Sequence, residues 1–201
     1  MEFKVNRTEI DPLYRNNPEE LGKITATIDS VSAIPGAFIT SITIHGYASP
    51  EGRYDDNARL AAGRSAALVD FVRGRYGLPD SLFRAESTPE DWEGLRNAVR
   101  RLDFPGKEGI LGLMAREMHP DAREAEIRRR WPESYAFLLK NVYPALRHSD
   151  YTVKYNVKGY TERTETHILT PTPAPPESQG TEAVSVEYIP CPASVASFLG
   201  K

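Results

Sequence analysis

At 201 residues, 40% of them hydrophobic and 26% charged, the chain can bury a core and lacks the composition that keeps a segment unfolded. A formal net charge of −3, with 28 acidic residues interspersed among 25 basic ones, supplies no general pull toward nucleic acid. The one cysteine, Cys191, leaves no intrachain disulfide and no multi-cysteine zinc set within these residues.

Phe3 and Val5, two apart with polar neighbours, predict a short first strand. Asn17-Pro18-Glu19-Glu20 predicts a helix start, with Asn17 as cap and proline at the first helical position. Leu21, Ile24, Ile28 and Val31 follow at helical spacing to about Ser32, and Pro35-Gly36 ends the run. Phe38 to Gly46 is rich in β-branched residues, with Phe38, Ile42 and Ile44 expected on one face. Two strands joined by one amphipathic helix form a βαβ unit.

A second helix is expected from Asp55 or Asp56 through Leu60, Ala61, Leu68, Phe71 and Val72, closed by Gly77-Leu78-Pro79-Asp80. Leu82 to Ala85 reads as a third strand. Residues 87–148 read as an all-helical insertion, opening with Thr88 as cap and Pro89 in the first turn. Within it, Gly109 and Gly112 should each weaken the helix of Lys107 to Met118 by about 1 kcal/mol against alanine. Tyr151, Val153, Tyr155 and Val157 alternate with polar residues, the signature of a strand with one buried face. Thr170 to Pro176 is a polyproline-prone spacer, and Ala183 to Ile189 has extended character without an evident pairing partner.

The chemistry concentrates where the second strand ends: Gly46-Tyr47-Ala48-Ser49-Pro50-Glu51-Gly52, then Asn57, Leu60, Arg64 and Ser65. A loop at the carboxyl end of a strand is free of packing duty. The helix start that follows adds unpaired N–H groups and partial positive charge, which suits a carboxylate. The Arg64 guanidinium has the fork geometry to take that carboxylate in two parallel hydrogen bonds.

This stretch resembles the OmpA-like peptidoglycan-binding domain. The pattern of that family runs Gly-(His/Tyr)-Thr-Asp, then Gly, then Asn-x-x-Leu-Ser-x-x-Arg-Ala. Gly46 and Tyr47 match its opening, Gly52 its loop glycine, and Asn57, Leu60 and Arg64 its asparagine, leucine and arginine at unbroken spacing. The family's threonine is Ala48 here and its aspartate Ser49. The resemblance implies that Arg64 holds the carboxylate of a diaminopimelate side chain. Ser49 cannot pair with the amine, which leaves Glu51 or Asp56 for that half. The Ala-Ser-Pro-Glu-Gly form with a helical insertion looks like a subgroup from Bacteroides-type envelope proteins, some encoded beside fimbrial components.

The expected architecture is an α/β (α+β) two-layer sandwich, βαβαβ–(helical insertion)–β, with a mixed sheet of about four strands. An OmpA-like domain would occupy residues 1–165 and a Pro-rich tail residues 166–201. The expected function is a non-catalytic cell-envelope domain that binds peptidoglycan stem peptide through Arg64, Asn57, Ser49, Glu51, Asp56 and Tyr47, without cofactor or metal. Affinity would be micromolar or weaker, about −8 kcal/mol. The alternative is a fimbrial or envelope assembly domain that uses the same fold without peptidoglycan.

Hydrolase chemistry is disfavoured, because Gly46-x-x-Ser49-x-x-Gly52 lacks the spacing of a nucleophile elbow and the four histidines are scattered. Glu90 and Asp91 read as surface charge. Met1-Glu2-Phe3 opens without the basic-then-apolar pattern of a signal peptide. Location on the periplasmic side of the outer membrane therefore comes from the resemblance, with membrane association expected through a region preceding Met1.

Overall fold

The computed structural model describes residues 1–158 and the strand 163–167. The elements follow as α1 (Asn17–Ala33), β1 (Ala37–Tyr47), α2 (Tyr54–Tyr76), a 3-10 turn (Asp80–Leu82), β2 (Phe83–Thr88), α3 (Trp92–Arg101), α4 (Lys107–Met114), α5 (Pro120–Arg130), α6 (Pro132–Asn141), α7 (Tyr143–Leu146), β3 (Ser149–Val157) and β4 (Arg163–His167). The sheet is mixed, in the order β2-β1-β3-β4, with β1 parallel to β2 and antiparallel to β3. This is the expected α+β architecture with its helical excursion before the long antiparallel strand. The spacer, the Ala183 to Ile189 segment and Cys191 lie outside the described residues.

Helical periodicity places Leu21, Ile24, Ile28 and Val31 of α1 on its buried side, and Ala61, Leu68 and Val72 on that of α2. Those faces meet Ile42 and Ile44 of β1 and Tyr151 and Val153 of β3 in one cluster. Full burial of an isoleucine or leucine is worth about 1.5–3 kcal/mol, so this layer supplies the main adhesion between sheet and helices. A second cluster lies wholly within α3–α7 and includes Leu95, Val99, Ile110, Ile127, Leu138 and Tyr143. The insertion thus packs on its own core, against which Trp92 and Trp131 are laid.

The first strand does not form. Phe3 donates its N–H to Arg147 O at 2.8 Å and Ser149 donates to Met1 O at 2.9 Å, but the pairing stops at a single bridge, Glu2 to His148. A turn interrupts it at Asn6, whose φ of +53° is left-handed, and Val5 is exposed while Phe3 is buried. Asn17 is the anchor of this segment. Its side chain accepts from Glu2 N–H at 2.8 Å and donates to Glu2 O and Asp11 O at 2.9 and 2.8 Å. It therefore pins the N-terminal segment instead of capping α1.

Two further expectations shift. A register break between Ile39 and Ser41 takes Phe38 off the buried face: Phe38 is exposed and Ile39 packs against the core. The insertion begins later than Thr88, which closes β2; Asp91 caps α3 by accepting from Gly94 N–H at 2.8 Å.

Candidate ligand site

β1 reaches the site end through Gly46, where a Cβ would come within 2.2 Å of Ala61 O and 2.8 Å of Ser65 N. Only glycine allows α2 to lie this close to the strand, and that closeness sets where Arg64 falls. Beyond Tyr47 the loop turns inward: Ala48 and Ser49 are buried, and Asp91 donates its N–H to Ala48 O at 2.9 Å. Gly52, at φ +86°, carries the chain out to α2.

No side chain of the loop caps α2. The cap comes from across the molecule, where Asp121 of α5 accepts from Tyr54 N–H at 2.8 Å. Asn57 is buried and divides its amide between Glu51 O at 3.0 Å and Glu90 Oε1 at 2.9 Å. Glu90 also accepts from Trp92 Nε1 at 2.7 Å. Glu90 and Asp91 are therefore buried junction residues, a correction to their reading as surface charge. Burial pushes the Glu90 carboxyl above the usual carboxylate range, against the pull of Asn57 and Trp92.

Arg64 is 1% exposed, so the expectation of a guanidinium open to solvent is not met. It sits on the apolar stripe of α2, one turn from Ala61 and one from Leu68, and that stripe faces the sheet. Its Nη1 donates to Tyr47 O at 2.8 Å and its Nε to Arg7 O at 3.2 Å, while the Phe3 ring lies 5.4 Å from the guanidinium carbon. Burial, then the neighbouring Arg147, pushes its pKa down to about 10, partly offset by Glu51. It remains a cation at neutral pH.

Arg147 and Glu51 complete the cluster. Arg147 is buried; its Nη1 lies 3.3 Å from Glu51 Oε1 and its Nε donates to Phe3 O at 3.4 Å. Burial raises the Glu51 pKa even though Arg147 and Arg64 both act to lower it. Glu51 thus pairs with the buried Arg147 and also feels the charges of Glu124 and of the buried Arg64. Arg147 carried no signal in the sequence, since only the pairing of β3 with β1 brings position 147 beside position 51.

The remaining expected ligand residues lie apart. Asp56 pairs with Arg59 on the exposed side of α2. Both line a surface depression of about 400 Å³ with Asn6, Thr8 and Leu60. Tyr47 gives its carbonyl to Arg64 but sends its ring to the other face of the sheet. There it stacks between His45 at 4.5 Å and His148 at 4.4 Å. Burial and the carboxylates of Asp150, Asp91, Glu93 and Glu86 push its hydroxyl up to about 12. His45 is engaged by Thr88 Oγ1 at 2.7 Å. Among the described residues no group of three or more histidine, cysteine or acidic side chains is placed to hold a metal ion. Nor is any described helix long and apolar enough to cross a membrane.

No family model matches the chain. A stretch of 53 residues, 26% of the chain, is 40% identical to outer membrane protein 41 of Porphyromonas gingivalis (strain ATCC BAA-308 / W83). The match covers 12% of that protein, so the likeness is to a small part of a much longer relative.

Proposed function

We propose that this chain is a non-catalytic domain of the bacterial cell envelope, with an OmpA-like arrangement, that serves envelope or fimbrial assembly through protein contacts. Envelope association is supported by the partial likeness to a protein named as an outer membrane protein. The assembly reading is carried by Arg64: at 1% exposure, with its nitrogens on the carbonyls of Tyr47 and Arg7, it acts as a brace between α2, β1 and the N-terminal segment. Ser49, at the family's aspartate position, is 2% exposed, and Asn57 is held by Glu51 and Glu90. The non-catalytic reading is supported by His45, the histidine nearest Ser49 in sequence, being engaged on the opposite face of the sheet. The test is co-sedimentation with purified peptidoglycan sacculi containing diaminopimelate. The protein should stay in the supernatant, and sedimentation that free stem peptide competes away would overturn the reading.

Stem-peptide binding stands as the second reading, favoured by the excess of guanidinium over carboxylate at the loop. Arg147 pairs with Glu51, whose pKa burial raises, and Arg64 lies near enough to act on the same carboxyl. Protonated or swung aside, Glu51 would leave two cations for an incoming carboxylate. Ser49 and Asn57, both buried beside this cluster, would then border the ligand. Calorimetric titration with stem peptide checks it, with heat of binding expected for the wild-type protein and lost in Arg147→Gln.

A further inference from the structure

The described residues pack on two apolar clusters that share no member, one between α1, α2 and the sheet, the other inside α3–α7. The chain crosses from one layer to the other twice, at Pro89–Asp91 and at Arg147–Ser149. Away from these crossings the seam is tied by polar bonds. Tyr54 at the start of α2 donates its N–H to Asp121 of α5 at 2.8 Å, and its ring meets His119 edge-on at 6.4 Å. Asn57 donates to Glu90 at 2.9 Å. The β1–α2 loop runs between these ties and the crossings, with Ala48, Ser49 and Pro50 buried. The insertion therefore lies over the loop, fastened at its far lip by Asp121.

Acids from three elements meet in this seam: Glu51 of the loop, Glu90 of the first crossing and Glu124 of α5. Glu90 and Glu124 are buried and Glu51 is half-buried. Glu51 faces Arg147, Glu124 and Arg64, while Glu90 faces Asp121, Glu124 and Arg123, all three on α5. Arg147 sits at the second crossing, so its pair with Glu51 at 3.3 Å fastens the hinge and not the lip. The Tyr143 hydroxyl, buried on α7, lies in the field of all three acids and donates to none of them. Burial raises the pKa of both Glu51 and Glu90, so each takes on charge at a cost while the seam is closed, with Glu124 adding to it. Apolar cores resist hydration and a polar seam does not. The cheapest relief is local opening at the two crossings.

We propose that the helical insertion α3–α7 is a hinged lid over the β1–α2 loop, closed while Glu51 and Glu90 are neutral and released as they ionise. It turns about the crossings at 89–91 and 147–149, parts the Tyr54–Asp121 latch and uncovers Ser49 and Asn57. Both acids have folded pKa values above the ordinary 4.5, so closure is complete below that value and is lost as pH rises through the raised ones. The loop is thus sheltered in acid and open to a partner at neutral pH, whichever partner it meets.

The test is amide exchange by NMR on the full chain at about pH 4.5 and about pH 7.5, each rate divided by that of an unstructured chain at the same pH. Protection of the Tyr54 amide should fall about tenfold over this range, while that of Ile44 and Leu138, one in each core, stays within about twofold. Spin labels on Arg59→Cys and Arg129→Cys, with Cys191→Ser, should move apart over the same range. Glu51→Gln with Glu90→Gln should abolish both responses. Glu124→Gln, which leaves the seam bonds in place, should weaken them. A Tyr54 protection or a label distance that ignores pH would overturn the lid. An equal fall at Ile44 and Leu138 would mark global loosening and overturn it as well. An undiminished response in the glutamine variants would overturn the assignment to these acids.

Discussion

Arg64 donates Nη1 to the carbonyl of Tyr47 at 2.8 Å, the last residue of β1, while the Tyr47 ring points to the opposite side of the sheet. One backbone group thus ties the buried arginine of α2 to the strand whose side chain begins the open face. Arg64→Met should leave the carbonyls of Tyr47 and Arg7 without a buried donor, costing about 3 kcal/mol. Urea unfolding measures this. A loss under about 0.5 kcal/mol would mean that Arg64 is not a brace and would return it to the ligand-binding roster.

Gly46→Ala tests the close approach that positions Arg64. The added Cβ would fall 2.2 Å from Ala61 O, a backbone atom that can retreat only if α2 moves. A loss of about 3 kcal/mol is expected, at the upper end for overpacking. Thermal unfolding with the amide spectrum of α2 as a second readout would show whether the helix has shifted.

The two glycines of α4 should respond in opposite senses. At Gly112 a Cβ meets nothing within 4 Å, so Gly112→Ala should gain about 0.8 kcal/mol from helix propensity. At Gly109 the Cβ would stand 2.3 Å from Trp131 Cζ2, so Gly109→Ala should instead lose about 1–2 kcal/mol. Paired denaturation curves decide it, and equal signs would refute the packing of Trp131.

Glu90 makes stability depend on pH in a defined sense. Its folded pKa is raised above the ordinary 4.5, chiefly by burial, so its contribution is fully present below that value and is lost as pH rises through the folded pKa. The difference in unfolding free energy between wild type and Glu90→Gln should therefore shift against wild type as pH is taken from about 4.5 to 7. A pH-independent difference would show that burial at the junction does not raise the Glu90 pKa.

Much of this architecture was readable in advance because it rests on local periodicity. The stripe of α1, the alternation of β3 and the glycine stop after α2 are properties of neighbouring residues, and each lies near its expected position. Phe3 and Val5 misled because their alternation is cut by a left-handed turn at Asn6, just before Arg7, whose carbonyl accepts from Arg64 of α2. The spacing of Ala61, Arg64 and Leu68 already placed Arg64 on the buried side of its helix, a signal that outweighs the family pattern in locating the side chain.

The sequence by itself determined the fold class, the order of helices around a strand–loop–helix motif, and the placement of that motif's glycine, asparagine and arginine within one continuous stretch of chain. Only the tertiary structure decided which of these groups remain available. Arg147, Glu90 and Asp121 reach the loop from 96, 33 and 67 residues away from Glu51, Asn57 and Tyr54 respectively. Such partners are set by strand pairing and by the packing of a separate helical core. Availability is a matter of burial and of completed hydrogen bonds, and neither exists until the chain has closed on itself.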